Sequence, residues 1–559
     1  MAKLISVSFP RSSSGSSFGI SDIFYLSITF IILYVSRYYY NYFTRINPLP
    51  GPLPFPMFGN IHQKFGYEFN DWLMSLHKKY GDMFEINLAG QRTIILCNTE
   101  LIENMNITST KTKYPIRFLV TEGFREYGIN GTGIVNNVDL KSWKYNRQFF
   151  TQAMMTPSFN HQAVECTNKL WSEMESYWKN LGETHELDLI RWMHRFSNEM
   201  IFIISTGVKT NCVASYYYTL VPNNDLNEKE KEKIKESEDF IKSLEMLLRG
   251  AIYFFYFNRF MRHYVPFIRG KAISLLKNRD YLYEKIYKII KERRTEIENT
   301  PLNQPLRHDM LTSFITANTP RDINVVRHGD TDADLLRPIS DMEIFGNILD
   351  AMGGGTDTTA NLFCFVAYYL GRYPEVKQRL RQELDDVIGN DSTKQITYKH
   401  IDELRYCDAV IKEVYRLFPV AFSLGRVSTE KDEVGGYVWP EETSYSILYC
   451  AIMKSKDYWT DPEKFDPDRF YKIDEDDKYL LERQYVKTAF SIFGGGIRAC
   501  PGRKLAMIEL KCLLASIYRK YDIEMVDKNA PINYESGFIT GCKDMRVKIK
   551  PRKLWENEI

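Results

Sequence analysis

The chain has 559 residues, with 73 Lys plus Arg against 71 Asp plus Glu and a formal net charge of +2. That balance excludes a nucleic-acid binder working through bulk positive charge, and 44% apolar with 14% aromatic residues excludes general disorder. Nine cysteines, odd in number and without a CxxC pair, exclude a disulfide framework and a zinc ribbon and suit a fold kept in a reducing compartment. At roughly 150 residues per domain, length alone predicts three or four domains. The first 17 residues are polar and Ser-rich, and Phe18 to Ser36 then turns apolar. Its uncharged run, Ile23 to Ser36, is shorter than the ~20 residues that span a bilayer as a helix. If Arg37 snorkels, the aromatic stretch to Phe43 completes the span and sets Tyr side chains at headgroup level. An uncleaved membrane anchor is the reading; a core helix or a signal peptide are the alternatives, the latter with a poor cleavage site. Pro48 to Pro56 carries five prolines and predicts a stiff, extended hinge.

From residue 57 onward no strong linker and no internal repeat divides the chain. Met83 to Leu88 and Thr93 to Cys97 flank Gly90 and predict a hairpin. Most of the rest reads helical, with Asn223 to Ser237 as a charged loop and helix start and Asn318 to Pro338 as a polar loop. Ala251 to Gly270 is unusually aromatic, either a core helix or a surface that dips into a membrane. Ser340-Asp-Met-Glu343 is a capping box opening a helix predicted to run from Asp341 to Arg372, where Pro374 stops it. Thirty-two residues make about 48 Å of helix. Its middle, Gly353-Gly-Gly-Thr-Asp-Thr-Thr359, costs roughly 2–3 kcal/mol in helix propensity. Either another helix packs closely there, or a large group lies against the backbone beside hydroxyls and a carboxylate.

Phe493 to Gly502 reads FGGGIRACPG. A glycine loop leads through Arg498 and Cys500 to a helix carrying Leu505, Ile508, Leu510 and Leu513. A lone cysteine is usually inert, but one just before a helix N-terminus sits where N–H groups and the macrodipole favour a thiolate.

With these residues, the sequence resembles the cytochrome P-450 family of haem-thiolate monooxygenases, in its eukaryotic membrane-anchored form. FGGGIRACPG matches the family's haem loop. Gly354 to Thr359 resembles its oxygen-activation motif, Glu413-Val-Tyr-Arg416 its ExxR, Phe465 to Phe470 its Pro-x-Arg-Phe segment, Trp143 to Arg147 its WxxxR helix, and Pro48 to Pro56 its proline hinge. The motifs follow in family order over nearly the whole chain, and this overrides the length-based domain count.

The resemblance implies a mainly α fold with a small β region, as a single-domain cytochrome P-450 fold with an N-terminal membrane anchor. The expected division is residues 1–45 as leader and anchor, 46–56 as hinge and 57–559 as the haem-thiolate catalytic domain. It implies haem b with Cys500 as the iron ligand. Trp143, Arg147, Arg426, Phe493 and Arg498 would contact the cofactor, the arginines because a guanidinium fork suits a carboxylate. Asp357 and Thr358 are the expected proton-delivery pair, with Gly354 and Gly355 leaving room for oxygen. Glu413, Arg416 and Arg469 would form a buried structural triad. Asp350 could meet a cationic substrate, though satisfaction by nearby backbone is the commoner fate of such a carboxylate.

No flavin or ferredoxin-like segment follows Arg552, so the expected partner is a separate NADPH-dependent flavoprotein reductase. Lys144, Arg503, Lys504 and Lys511 would offer it a basic docking face. The other expected partners are a membrane and a lipophilic substrate, with no nucleic acid. Substrate contacts are expected from Lys113 to Asn137, Ala421 to Leu424 and Phe538 to Thr540, and none of these selects a compound. The expected location is the endoplasmic reticulum membrane with the catalytic domain in the cytosol, so the sequons at Asn106, Asn130 and Asn390 should stay unmodified. Two other functions share these motifs: a haem-thiolate isomerase or dehydratase acting on hydroperoxides, which needs no Asp357–Thr358 relay, and a haem-binding sensor.

Overall fold

The computed structural model describes residues 20–88, 90–109, 111–129, 131–222, 226–323, 337–391, 393–471 and 486–552. The expected leader, the sequon residues Asn130 and Ser392 and parts of both expected loops lie outside them.

Helix α1 (Ile20–Phe43) projects from the body. Its stretch Asp22–Phe43 has mean hydropathy 1.2 and none of it is buried, so it is long and apolar enough to cross a bilayer. The proline-rich segment after it does not stand free. Pro50 accepts the Glu85 N–H, and Phe55 and Gly59 form a bridge that continues to Leu88.

The predicted hairpin is present as β1 (Met83–Leu88) and β2 (Gln91–Leu96), paired from Met83↔Leu96 to Leu88↔Gln91, with Gly90 at φ +81° in the turn. Parallel pairing of β2 with β4 (Ser444–Ile447), and antiparallel pairing of β4 with β3 (Leu424–Val427), complete a four-stranded sheet ordered β1-β2-β4-β3. Trp72, Phe84, Ile95 and Phe422 fill a small core over it. A second sheet joins Leu187–Asp188, β6 (Arg546–Pro551) and β5 (Tyr521–Met525).

The main core is helical. Helices α2 (Leu140–Met155), α4 (Leu189–Thr206) and α10 (Arg503–Tyr518) pack on the long central segment, and α3 (Pro157–Leu181) packs on α10 and α4. Helices α5 (Glu228–Tyr256) and α6 (Pro266–Asn299) pack against each other on the side of the central segment that Leu248 approaches. The charged stretch before α5 becomes helix at Glu228 behind an Asn227–Glu230 capping box. The aromatic run Ala251 to Gly270 divides by face: Phe254 is buried, while Phe260, Tyr264 and Phe267 are exposed.

One expected helix is two. The Ser340–Glu343 capping box opens α7 (Asp341–Gly355), but α8 (Asp357–Arg372) begins after a break at Thr356. The Thr356 hydroxyl donates to Met352 O at 2.9 Å and the Thr358 hydroxyl to Gly354 O at 2.6 Å. Hydroxyls bonded back to the carbonyl four residues earlier compete with the helix ladder and bend it. The Thr356 and Ala360 N–H bonds there have lengthened to 3.3 and 3.4 Å.

Helix α9 (Arg405–Leu417) carries the expected triad. Arg416 spans both oxygens of Glu413 at 2.8 and 2.9 Å, Arg469 Nε lies 3.3 Å from Glu413, and the Asp466 N–H donates to the same carboxylate. Arg416 also donates to the carbonyls of Met453, Pro462 and Lys464, which ties α9 to the segment leading toward the cysteine loop.

Candidate haem site

All nine cysteines are described, and eight of them are buried; Cys500 alone is exposed. The loop before it turns through Gly494 (φ +73°) and Gly496 (φ +65°), and the Cys500 N–H donates to Phe493 O at 2.8 Å. Gly502 caps α10, so Cys500 lies two residues ahead of that helix. Although the residue is exposed, protein encloses its thiol on most sides, and this burial pushes the thiol above its ordinary pKa. The Gly502 N–H and the charges of Arg117, Arg147 and Arg503 pull the other way without prevailing. The helix terminus therefore helps a thiolate but does not make one unaided; a coordinated cation would deprotonate the thiol outright.

Four guanidiniums gather near this loop. Arg498 is almost fully buried and donates to the carbonyls of Pro115, Ile134 and Asn137, with its fork 4.2 Å over the Trp143 ring. Arg426 is also buried and reaches Gly495 O at 3.0 Å. Half-buried Arg147 donates to Ala499 O, and half-buried Arg117 to Arg498 O, each at 2.7 Å. Burial, reinforced by neighbouring guanidiniums, pushes Arg498 down to about 9 and Arg426 and Arg147 down to about 10. Among the described residues none of the four forms a carboxylate ion pair. Such a cluster is complementary to a group bearing two carboxylates and a metal for the Cys500 sulfur, which are the features of haem b.

Sequence reasoning singled out Arg147, Arg426 and Arg498 but missed Arg117. It belongs to no motif, and only its spatial company marks it. Trp143 is buried, and its indole N–H donates to Ile134 O at 3.1 Å, so it supports Arg498 from below. Phe493 is half-buried and reaches Cys500 through its carbonyl. Lys511 does not belong on a docking face. It is buried and donates to Ile401 O at 3.2 Å, near Asp408, because α10 turns that position inward. Lys144 and Arg503 are exposed and Lys504 is half-buried.

At the break between α7 and α8, Gly354 borders open space, whereas Gly355 does not leave room. A Cβ there would meet Ile201 Cγ1 of α4 at 2.8 Å, so Gly355 serves close helix packing. Burial pushes Asp357 up to about 6, against the charge of Arg249. The bland reading of Asp350 holds: its Oδ2 accepts the Ile134 and Val135 N–H groups at 2.7 and 2.8 Å. Burial raises Asp350 to about 6 as well, although those two bonds and Arg117 oppose it. Val420 O, just before the expected segment Ala421 to Leu424, accepts the N–H of Thr540, at the end of the expected segment Phe538 to Thr540, at 2.7 Å.

Comparison with known proteins identifies the family. The family model described as Cytochrome P450 matches residues 49–550. Among similar proteins, cytochrome P450 4d10 of Drosophila mettleri is 24% identical, covering 90% of this chain and 92% of its own length. Cytochrome P450 3A31 of Mesocricetus auratus is 25% identical over 89% of this chain and 90% of its own length. Farnesoate epoxidase of Bombyx mori is 26% identical, with 91% and 94% covered. A match across most of the chain, with the cysteine loop and the buried triad in place, means that this protein belongs to the cytochrome P450 family: it is an oxidoreductase, a haem b monooxygenase of the general haem-thiolate type.

Proposed function

We propose that this chain is a membrane-anchored monooxygenase. It inserts one oxygen atom from O2 into a lipophilic organic substrate, with NADPH electrons delivered by a separate flavoprotein reductase. The observation that carries the site assignment is Cys500, the one exposed cysteine, beside four guanidiniums that pair with no carboxylate among the described residues. In this reading Cys500 ligates the iron, and Arg117, Arg147, Arg426 and Arg498, backed by Trp143 and Phe493, hold the propionates. The chemistry supplied by the bound group is reduction of dioxygen and transfer of one of its atoms; a thiolate ligand pushes electron density toward O–O cleavage, as is general for this class.

The chain's own work is binding and proton management. Arginine forks fix the cofactor's carboxylates in two-point geometry. Thr358, whose hydroxyl both donates and accepts, positions a proton donor at the helix break, and Asp357 passes protons to it. Residues 1–45 act as leader and anchor, 46–56 as hinge and 57–559 as the catalytic domain. The unburied α1 and the exposed Phe260, Tyr264 and Phe267 support contact with a membrane, taken here as the endoplasmic reticulum with the body in the cytosol. Lys144, Arg503 and Lys504 support docking of an acidic reductase face. The test is the ferrous carbon monoxide spectrum. Wild type should show the red-shifted Soret band of a thiolate ligand; Cys500→Ser should lose it, while Cys512→Ser and Cys364→Ser keep it. An unchanged band in Cys500→Ser would overturn the assignment.

A further inference from the structure

Asp357 needs a source of protons, and one side chain is aimed at it. His194, on α4, places Nε2 3.9 Å from Asp357 Oδ1, across the packed interface between α4 and α8. That nitrogen is shielded from water and has no hydrogen-bond partner among the described residues, whereas the His194 side chain as a whole is 23% exposed and that of Asp357 21%. The enclosed nitrogen thus faces the carboxylate while part of the same ring meets solvent, which gives a proton an ordered route to Oδ1 beside the partly exposed carboxylate itself. The gap exceeds a direct hydrogen bond and is closed by a small ring rotation or one bridging water.

The other charged groups nearby are engaged elsewhere or lie farther from the carboxylate. Asp188, Arg191 and Arg195 act on the ring from α4 and its cap, and Glu245 acts from α5. Arg195 is engaged with Glu238 at 2.9 Å and Glu245 at 3.8 Å. Arg249 of α5 acts on Asp357 only at longer range. Among the described residues, His194 is the one basic side chain within 4 Å of the Asp357 carboxylate.

We propose that His194 is the solvent-side positioning residue of the proton path, taking a proton from water on Nδ1 and handing one from Nε2 to Oδ1 of Asp357. The O–H bond of a protonated solvent water breaks as the Nδ1–H bond forms, leaving neutral water, and the Nε2–H bond breaks as the Asp357 O–H bond forms. No electron moves, and proton exchange with solvent, Nδ1 giving up its proton and Nε2 taking one, restores the starting tautomer. Burial lowers His194 to about 4 and raises Asp357 to about 6. Near neutral pH the ring is therefore neutral and does not trap the proton as imidazolium, and the carboxylate is the better acceptor. This inference rests on the proton-delivery role proposed for Asp357 and Thr358.

The experiment uses full-length holoenzyme with reductase, as wild type, His194→Gln and His194→Phe. Glutamine keeps a donor beside Asp357 and most of the shape but cannot pass a proton through. The first readout is infrared titration of the Asp357 carboxyl in carbon-13 aspartate protein, assigned by its loss in Asp357→Asn. Its midpoint should rise in His194→Phe, which removes the donor, and stay near wild type in His194→Gln. The second is NADPH oxidation, which should fall about tenfold or more in both variants, with a larger solvent deuterium effect. The third is oxidation of tetramethylphenylenediamine by cumene hydroperoxide, which brings its oxygen already reduced and should be spared. A His194→Gln enzyme that oxidises NADPH at the wild-type rate overturns the proposal, as does an equal loss in the hydroperoxide reaction. Loss of the thiolate carbon monoxide band in wild type would instead sink the haem-thiolate reading itself, so the two failures are distinguishable.

Discussion

At the scale of single residues, Asp357 and Glu509 are carboxyl groups that burial holds above their ordinary pKa, and Thr358 follows the first of them in the chain. Thr358 spends its hydroxyl hydrogen on Gly354 O, which leaves its lone pairs to accept. Thr358→Ala removes that acceptor and keeps the cysteine loop and the arginines. It should leave ligand-induced spin shifts and NADPH consumption largely intact while the reducing equivalents go to hydrogen peroxide. The positioned proton step should slow by about 10²–10⁴-fold. The measurement is peroxide formed per NADPH oxidised, and an unchanged ratio removes Thr358 from the relay. Asp357→Asn should instead slow NADPH oxidation itself, because it narrows proton entry.

Glu509 of α10 tests the same physics away from the reaction. It is buried, accepts the Ser197 hydroxyl at 2.7 Å, and burial raises it to about 8. Between the ordinary glutamate pKa and about 8 the folded protein keeps a proton that the unfolded chain releases. Stability from this group is therefore full at low pH and lost as pH climbs through about 8. Glu509→Gln, which does not titrate, should match wild type near pH 5 and exceed it by a few kcal/mol at pH 9. Denaturation midpoints at the two pH values check this, and a constant difference would show that Glu509 is ionised throughout.

Among elements, the break at Thr356 is the feature that chain periodicity hides. Apolar spacing continues from Asp341 to Arg372, so the sequence reads as one helix. The two hydroxyl back-bonds that bend it depend on rotamers, which periodicity does not encode. The cysteine loop, the capping box, the hairpin and the Glu413–Arg416 pair were legible because each is a local spacing with a local cause. Arg117, His194 and the inward turn of Lys511 were not legible, since each acquires meaning only from a partner far away in the chain. Gly355 illustrates the difference. Its glycine was visible, but its reason, Ile201 in the next layer, was not. Gly355→Ala should cost about 1–3 kcal/mol by overpacking. Ile201→Ala alone should also destabilise, and the double variant should recover part of the loss. Denaturation midpoints for the four proteins close the cycle, and strict additivity would mean that the two residues do not meet.

For the whole molecule, the question is how the body is joined to the apolar helix α1 that precedes it. Helix α1 touches little of the body, yet the chain just after it is firmly held. Glu85 of β1 is 4% exposed and accepts Arg45 at 2.5 Å on one oxygen and Arg92 Nε at 2.8 Å on the other. Arg92 also donates to the carbonyls of Ile46 and Asn47, and Asn47 reaches Val438 O at 2.7 Å. Five closely spaced prolines stiffen the connector that follows. The fold thus fixes the exit direction of α1 instead of leaving it on a swivel. Two interventions separate attachment from orientation. Deleting residues 1–45 should release most of the protein from alkaline-washed membranes, with residual peripheral binding through the aromatic face around Phe260 and Phe267. The truncated body should still fold, because Glu85 keeps Arg92. Glu85→Ala in the full chain should leave membrane attachment unchanged and cost about 1–3 kcal/mol for the arginine donors left behind. Its signature is geometric: spin labels on α1 and on the β1–β2 sheet should give a broader distance distribution than in wild type. A distribution as narrow as wild type's would mean that the prolines alone set the angle and Glu85 serves only the stability of the body.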